Sequence, residues 1–97
     1  MDDLEAYATA QRRIQHLVSR EITSLLDRPE PPPLGTPFAD LGLDSIMAMT
    51  LRERLEQHLG LSLPPTFVFE YPTLRALTRA LVVRVGEHAS TSSPKSS

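Results

Sequence analysis

Asp44 and Ser45, in the segment of residues 41–47 (LGLDSIM), are the two residues whose types and order suggest chemistry. An aspartate is a favoured helix N-cap, because its carboxylate accepts backbone N–H groups that the first turn leaves unpaired. If Asp44 caps a helix, Ser45 is the first helical residue, and its hydroxyl projects from the positive end of the helix dipole. A negatively charged group is stabilised at that end. The pair is therefore either a simple cap or an attachment point for an anionic group, and local chemistry alone favours the simple cap.

Other kinds of site are not indicated by the sequence. It has no Gly-x-Ser-x-Gly elbow, and no histidine or acid stands in a recognisable triad order with Ser45, so we assign no catalytic residue. His16, His58 and His88 lack the spacing of metal ligands, and we predict surface histidines and no metal site. The absence of cysteine excludes disulfides, thiolate zinc sites and cysteine nucleophiles.

Length and charge limit the class of protein. A chain of 97 residues allows one small domain. The net charge of −2 provides no basic surface for nucleic acid. No apolar run approaches the roughly 18 residues that a membrane span needs, and the acidic N-terminus does not resemble a signal peptide. We therefore expect a cytoplasmic protein that binds neither nucleic acid nor membranes.

The spacing of apolar residues predicts a first helix from about residue 3 to residue 26. Gln11 interrupts the apolar stripe, so we predict that residues 1–9 are a lead or linker and that the domain begins at residue 10. The apolar positions are Leu4, Tyr7, Ala8, Ile14, Leu17, Val18, Ile22, Leu25 and Leu26.

A proline-rich loop should follow this helix. Four prolines lie between Pro29 and Pro33, and proline lacks an N–H and restricts the residue before it. We predict a long irregular loop that runs to Asp44. Loops longer than about 12 residues are often functional, and this one leads to Ser45. The apolar residues expected to pin it to the core are Leu34, Phe38, Leu41 and Leu43.

A second helix is predicted from Ser45 to about Leu59, ended by Gly60. At about 100° per residue, its two faces differ in character. Ile46 and Met49 are apolar, yet they should face solvent within one turn of Ser45, so we predict that they belong to a docking surface. The core face holds Ala48, Leu51, Leu55 and Leu59. The opposite face holds Ile46, Met49, Thr50, Glu53 and Gln57.

Two further helices are predicted in the last third of the chain. Thr66 should begin one short helical turn in which Phe67 and Phe69 pack against the core, because a lone strand without a partner is unstable. Thr73 should cap a last helix, which we expect Gly86 to end. The apolar stripe of that helix is Leu74, Leu77, Leu81 and Val85.

The chain should end in a tail. Residues 88–97 (HASTSSPKSS) are rich in serine and nearly devoid of apolar side chains, which is typical of a flexible tail or linker. We therefore predict that the domain spans residues 10–87.

Three motifs, in this order and spacing, resemble those of acyl carrier protein domains. Residues 41–49 (LGLDSIMAM) closely resemble the phosphopantetheine attachment motif, whose core is Gly-x-Asp-Ser-hydrophobic. Residues 51–55 (LRERL) look like the Leu-Arg-x-Arg-Leu run common in polyketide synthase carriers. Residues 66–74 (TFVFEYPTL) are similar to their Thr-x-x-Phe-(Asp/Glu)-x-Pro-Thr signature. The resemblance covers roughly residues 14–85 and reverses the interpretation of Ser45 in favour of attachment.

The resemblance implies an all-α four-helix bundle with a short third helix and a long loop between helices one and two. It implies that a phosphopantetheinyl transferase moves 4′-phosphopantetheine from coenzyme A to the Ser45 hydroxyl, within the motif formed with Gly42, Leu43 and Asp44. The thiol of this arm would hold acyl groups as thioesters and present them to an acyltransferase, a ketosynthase and other synthase domains. The carrier itself would have no catalytic activity, and we expect the isolated domain to be monomeric.

The resemblance also suggests how partners dock. The residues expected to meet them are Ile46, Met49, Thr50 and Glu53. Many members of the family carry an acid where this chain has Thr50, and that acid helps to dock basic partner surfaces. We therefore expect docking to rely more on the apolar Ile46 and Met49, with modest attraction from Glu53 and Glu56.

Three alternatives remain open at this point. Peptidyl carriers of nonribosomal peptide synthetases share the fold, but they typically have Gly-Gly-x-Ser, so Gly42-Leu43-Asp44 favours the acyl type. A non-carrier helical interaction module would use Ser45 only as a structural residue. A small serine hydrolase would be labelled covalently by a fluorophosphonate probe.

Overall fold

The computed structural model describes the backbone of residues 3–91 and the side chains of residues 4–87. This part of the chain forms four α-helices and one 3₁₀ turn, without a strand. The helices are α1 (Asp3–Leu26), α2 (Ser45–Leu59), α3 (Phe67–Glu70) and α4 (Leu74–Thr91), and the 3₁₀ turn spans Phe38–Leu41. The long helix α1 packs against α4 and α2, and α2 contacts the one-turn helix α3. The predicted all-α bundle with a short third helix is confirmed.

One hydrophobic core lies between the helices. Val18 and Ile22 of α1, Leu51 and Leu55 of α2 and Leu77 of α4 are fully buried. These positions recur every three or four residues on their helices, so each helix presents one apolar side to the others. The predicted core face of α2 is confirmed at its first three positions, and Leu59 is partly buried against the same core.

The helix α1 begins at Asp3 and passes Gln11 without a break. Residues 3–9 of the predicted lead or linker are therefore helical. Leu4 and Tyr7 are 76% and 46% exposed, because the rest of the described chain does not cover this end of α1. The domain boundary at residue 10 stays a prediction.

The loop between α1 and α2 is tied down by backbone hydrogen bonds as well as by apolar side chains. Phe38 and Leu43 are buried as predicted, and Leu41 is partly buried against the core. The prediction for Leu34 is wrong, since its side chain is 38% exposed. Its carbonyl oxygen instead accepts a hydrogen bond of 2.9 Å from the Arg75 backbone N–H of α4. The loop is also less irregular than predicted, because it contains the 3₁₀ turn.

The short helix α3 buries one aromatic residue rather than two. Phe67 and Val68 are buried, whereas Phe69, predicted to pack against the core, is 53% exposed. In one helical turn, Phe67 and Phe69 point about 200° apart, so they cannot both face the same core. Phe67 packs against Tyr71 instead, with 5.0 Å between the ring centroids.

The last helix continues past the residue predicted to end it. Thr73 caps α4, since its hydroxyl accepts a hydrogen bond of 3.1 Å from the Ala76 N–H. Gly86, however, lies inside the helix, which runs to Thr91. A glycine costs a helix interior about 1 kcal/mol but does not terminate it unless the backbone turns left-handed. Residues 88–91 of the predicted tail are therefore helical, and residues 92–97 lie outside the described part.

Arginines of the LRERL run hold α2 in place. Arg52 donates to a Glu56 carboxylate oxygen at 3.2 Å and to the Leu63 carbonyl oxygen at 3.3 Å. The Leu63 N–H in turn donates to the other Glu56 oxygen at 2.7 Å, which fastens the loop after α2 to that helix. The motif therefore has a structural role at this position.

A second set of charges joins α2 to α1. Glu21 of α1 lies 3.2 Å from Arg54 and 3.1 Å from the Nε2 atom of His58, both on α2. His58 is thus at the surface, as predicted, but it contacts a carboxylate. Within residues 4–87, no three His, Asp or Glu side chains are grouped in a way that could hold a metal ion. Among the four helices, none is long and apolar enough to cross a membrane.

Thr78 of α4 provides a test of this packing. Its side chain is 1% exposed, and its hydroxyl oxygen has no hydrogen-bond partner among the described residues. A buried hydroxyl without a partner costs about 1–3 kcal/mol. Thr78→Val keeps the shape and removes that cost, so we expect the free energy of unfolding to rise by about 1 kcal/mol in chemical denaturation.

The matched control for Thr78 is Thr50→Val. The Thr50 hydroxyl is half-buried on α2 and donates to the Ile46 carbonyl oxygen at 3.1 Å. This second change should bring no gain in stability. Destabilisation by Thr78→Val would mean that its hydroxyl does find a partner.

Candidate functional site

The N-terminus of α2 is built around Asp44. Its backbone is extended, with φ −93° and ψ −177°, and its carboxylate accepts the Met47 N–H at 2.8 Å. Its carbonyl oxygen accepts the Ala48 N–H at 2.9 Å, which closes the first turn. The predicted cap is confirmed. The carboxylate of Asp44 is thereby held beside the helix end and points at the backbone.

Ser45 is the first residue of α2, and its side chain is exposed. Among the residues that the structure describes, its hydroxyl has no hydrogen-bond partner, and neither the Ser45 nor the Ile46 backbone N–H has an acceptor. The site therefore combines an accessible hydroxyl with two N–H groups at the positive end of a helix, which favours a negatively charged substituent. Among the described residues, no histidine or carboxylate is hydrogen-bonded to the Ser45 hydroxyl.

Gly42 and Leu43 position this helix end. Gly42 has φ +102°, a left-handed conformation that favours glycine, and its N–H donates to the Ala39 carbonyl oxygen at 3.1 Å. The Leu43 side chain is buried, and its N–H donates to the Phe38 carbonyl oxygen at 3.1 Å. The glycine allows the chain to turn out of the 3₁₀ segment, and the leucine anchors it directly before Asp44. Both residues act on the backbone of the site.

Two exposed apolar side chains lie within the first two turns of α2, which begins at Ser45. Ile46 and Met49 are 75% and 50% exposed, as their phase on α2 predicts. Phe69 of α3 was missed as a surface residue, although counting 100° per residue from the buried Phe67 would have placed it outward. It lines a cavity of about 100 Å³, together with Leu43 and Ala48 from either side of Ser45 in the sequence. Phe69 therefore belongs to the same end of the bundle.

The two polar residues of the predicted docking surface, Thr50 and Glu53, differ in how accessible they are. Glu53 is exposed on α2, as expected. Thr50 is half-buried, and its hydroxyl is occupied by the hydrogen bond to the Ile46 carbonyl oxygen. The Glu53 carboxylate is therefore accessible to another protein, whereas the Thr50 hydroxyl is already hydrogen-bonded within α2.

The cap can be tested by Asp44→Ala. This change removes the acceptor of the Met47 N–H, and we expect it to lower the free energy of unfolding by about 1 kcal/mol. Thermal denaturation followed by circular dichroism would measure the loss. Asp40→Ala is a matched control, because Asp40 is exposed in the 3₁₀ turn and does not cap α2. An equal loss in both variants would contradict the capping role.

The chain matches a known protein family over most of its length. A family model described as "Phosphopantetheine attachment site" matches residues 16–81, which include the whole of α2 and α3. The chain belongs to this family. Carriers of the family hold a covalently attached 4′-phosphopantetheine, and the exposed hydroxyl and unpaired N–H groups at the start of α2 suit a phosphodiester.

Similar proteins agree with this assignment. The pikromycin polyketide synthase component PikAII of Streptomyces venezuelae is 45% identical over 85 residues, which is 84% of this chain and 2% of that component. The type-II acyl carrier protein BlmI of Streptomyces verticillus, involved in bleomycin biosynthesis, has a TM-score of 0.77. It is 21% identical, and the match covers 84% of this chain and 96% of BlmI. At that identity, the likeness concerns the fold.

A peptidyl carrier also shares the fold. The free-standing peptidyl carrier protein from an Acinetobacter baumannii secondary metabolic pathway has a TM-score of 0.72 and is 28% identical. The match covers 77% of this chain and 95% of that protein. The fold alone therefore does not separate acyl from peptidyl carriers.

Proposed function

We propose that this chain is an acyl carrier domain of the polyketide synthase type, and that its phosphopantetheine arm is attached to the Ser45 hydroxyl oxygen. One observation carries the choice of residue. Ser45 is exposed and without a hydrogen-bond partner in the described region, and it lies at a capped helix N-terminus inside the family match.

The other described serines lack these features. Ser19 and Ser24 lie within α1, and Ser62 lies in the loop after α2. Ser45 alone among the serines of residues 4–87 begins a helix, where the N–H groups of the first turn can donate hydrogen bonds to a phosphodiester. Once the arm is attached, its thiol carries an acyl group as a thioester. The chain contributes the anchoring oxygen and a rigid helix end, and we propose that it performs no catalysis itself.

The polyketide type is supported by sequence rather than by fold. The chain is 45% identical over 85 residues to a polyketide synthase component. In addition, Leu43-Asp44 precedes Ser45 here, where peptidyl carriers typically have a second glycine. A peptidyl carrier is the alternative candidate, supported by the shared fold.

We propose that partner enzymes dock on the apolar surface beside Ser45, formed by Ile46, Met49 and Phe69, with Glu53 at its edge. All four side chains are exposed. The proposed partners are a phosphopantetheinyl transferase, an acyltransferase, a ketosynthase and other synthase domains acting on acyl chains. Thr50 would contribute through its methyl group, because its hydroxyl is occupied. We further propose a monomeric domain that acts in the cytoplasm.

The decisive experiment combines loading with mapping. The purified chain would be incubated with coenzyme A, magnesium and a broad-specificity phosphopantetheinyl transferase. We expect intact mass spectrometry to show the mass of one phosphopantetheinyl group, and peptide fragmentation to locate it on Ser45. A folded chain without the adduct would overturn the proposal.

The loaded chain then distinguishes the two carrier types. We expect a polyketide synthase acyltransferase to charge it with a malonyl-type group from the corresponding coenzyme A ester. Charging with an amino acid by an adenylation domain, and none by the acyltransferase, would favour the peptidyl carrier.

A further inference from the structure

A groove of about 650 Å³ runs between α3 and α4. Phe67 and Tyr71 line it from the side of α3, and their packed rings form one wall. Ala76 and Ala80, one helical turn apart, line it from α4. Because both of these side chains are small, another helix can approach closely there.

The groove is separate from the Ser45 site. Phe67 lines the groove, whereas Phe69 lines the small cavity beside Leu43. These two aromatic side chains leave α3 about 200° apart, so the helix divides the two surfaces. A molecule in the groove would leave Ser45 accessible.

The apolar side chains that line the groove are incompletely covered. Val83 of α4 is 55% exposed, and Tyr71 is half-buried. A single exposed apolar residue is common on protein surfaces. Here, however, Val83 shares a concave surface with an aromatic wall, which is the form that binding grooves for amphipathic helices take.

Two arginines give the groove its charge. Arg79 is exposed and has no hydrogen bond or ion pair among the described residues. The Arg84 guanidinium carbon lies 5.3 Å from the centroid of the Phe67 ring, which holds this cation at the wall of the groove. Glu87 is the carboxylate among the lining residues. The groove is therefore positively charged, although the whole chain has a net charge of −2.

We propose that this groove docks an acidic amphipathic helix of another protein or domain. Its apolar side chains would contact Tyr71 and Val83, and its carboxylates would pair with Arg79 and Arg84. Arginine is suited to this, because its planar guanidinium pairs with a carboxylate through two parallel hydrogen bonds. The function is distinct from the carrying of acyl groups, since it requires no arm and uses the opposite side of α3. The groove holds the partner, while enzymes reach Ser45.

The probe is a pair of synthetic helical peptides of about five turns. The first has leucines along one face and glutamates along the other, and the second has lysine in place of every glutamate. We expect the acidic peptide to bind saturably to the ¹⁵N-labelled chain and to shift the backbone signals of Tyr71, Ala76 and Val83. The lysine peptide should bind at least about tenfold more weakly than the acidic peptide. Raised salt should weaken binding of the acidic peptide.

Charge reversal gives the sharpest comparison. Arg79→Glu should weaken binding of the acidic peptide by about tenfold and strengthen binding of the lysine peptide. Arg12→Glu is the matched control, because Arg12 is an exposed arginine of α1 outside the groove, and the Kd should not change. If Arg79→Glu fails to fold, Val83→Ser tests the apolar contact in the groove and should also weaken binding of the acidic peptide. Saturating peptide should leave the rate of phosphopantetheine loading unchanged.

Several results would overturn the proposal. These are equal binding of both peptides, no saturable binding up to about 1 mM, or shifts centred on Ile46 and Met49 instead of the groove. Concentration-dependent self-association with shifts at Tyr71 and Val83 would assign the groove to a second copy of this chain. Failure of loading at Ser45 would overturn the carrier function but not the groove, because peptide binding is measured on the unmodified chain.

Discussion

Replacing Ser45 with alanine is expected to abolish the attachment of phosphopantetheine. Alanine lacks the oxygen that forms the phosphodiester, and the described serines elsewhere do not begin a helix. Stability should change by less than about 0.5 kcal/mol, because Ser45 is exposed and its hydroxyl makes no hydrogen bond in the described part of the chain. Intact mass spectrometry after incubation with the transferase would show the unmodified mass alone.

The matched control for Ser45→Ala is Ser62→Ala. Ser62 is likewise exposed, but it lies in the loop after α2. This variant should gain one phosphopantetheinyl group as the parent chain does. If Ser45→Ala still gained that mass while its circular dichroism spectrum remained native, the attachment would lie at another residue, and the assignment of Ser45 would be wrong.

Leu55→Ala is expected to lower the free energy of unfolding by about 2–5 kcal/mol. Leu55 lies in the middle of α2, is 0% exposed and belongs to the core formed with α1 and α4. Shortening it removes apolar contacts and leaves a cavity that packed helices cannot fully close. For a domain of this size, the melting temperature should fall by about 10 °C or more.

Met49→Ala on the same helix is the matched comparison. Met49 is 50% exposed, so its truncation should change the free energy of unfolding by less than about 0.5 kcal/mol. We expect it instead to slow acyl transfer by partner enzymes on the loaded chain. A fall in melting temperature as large as that of Leu55→Ala would contradict the assignment of Met49 to the docking surface. Unchanged transfer kinetics would remove Met49 from that surface.

The features that followed correctly from the sequence are governed by neighbouring residues. Asp44 caps α2, and Gly60 ends it in a left-handed conformation with φ +67°, both as predicted. Each depends on a side chain or a backbone torsion within one turn, which residue type largely determines. The faces of α2 followed in the same way, because helical phase places Leu55 inward and Met49 outward.

Two wrong predictions, at Gly86 and at Leu34, have different physical causes. Gly86 looked like a helix end, but α4 continues through it to Thr91. Leu34 looked like a core anchor, yet its carbonyl oxygen, and not its side chain, forms the contact with α4. At Gly86 the backbone stays helical and no atom lies within 4 Å of the Cβ position, so the glycine weakens α4 locally without ending it. For Leu34, the contact depends on where the loop and α4 lie relative to each other, which the local sequence does not contain.

For the LRERL run, the sequence suggested a family but not a role. Only the packing of α1 beside α2 brings Glu21 to Arg54, across 33 positions of the chain. Helical phase separates the side chains of Phe67 and Phe69, but only the docking of α3 on the bundle decides that Phe67 is the buried one. Contacts between distant residues are a property of the assembled bundle.

The sequence by itself therefore determined the four helices, the capped start of α2 and the serine that stands there, because each rests on local propensity and helical phase. The tertiary structure decided which surfaces remain open around that serine and around the groove on the other side of α3. The reason is that a side chain stays exposed only where no other helix covers it, and the sequence of a single segment does not specify its neighbours.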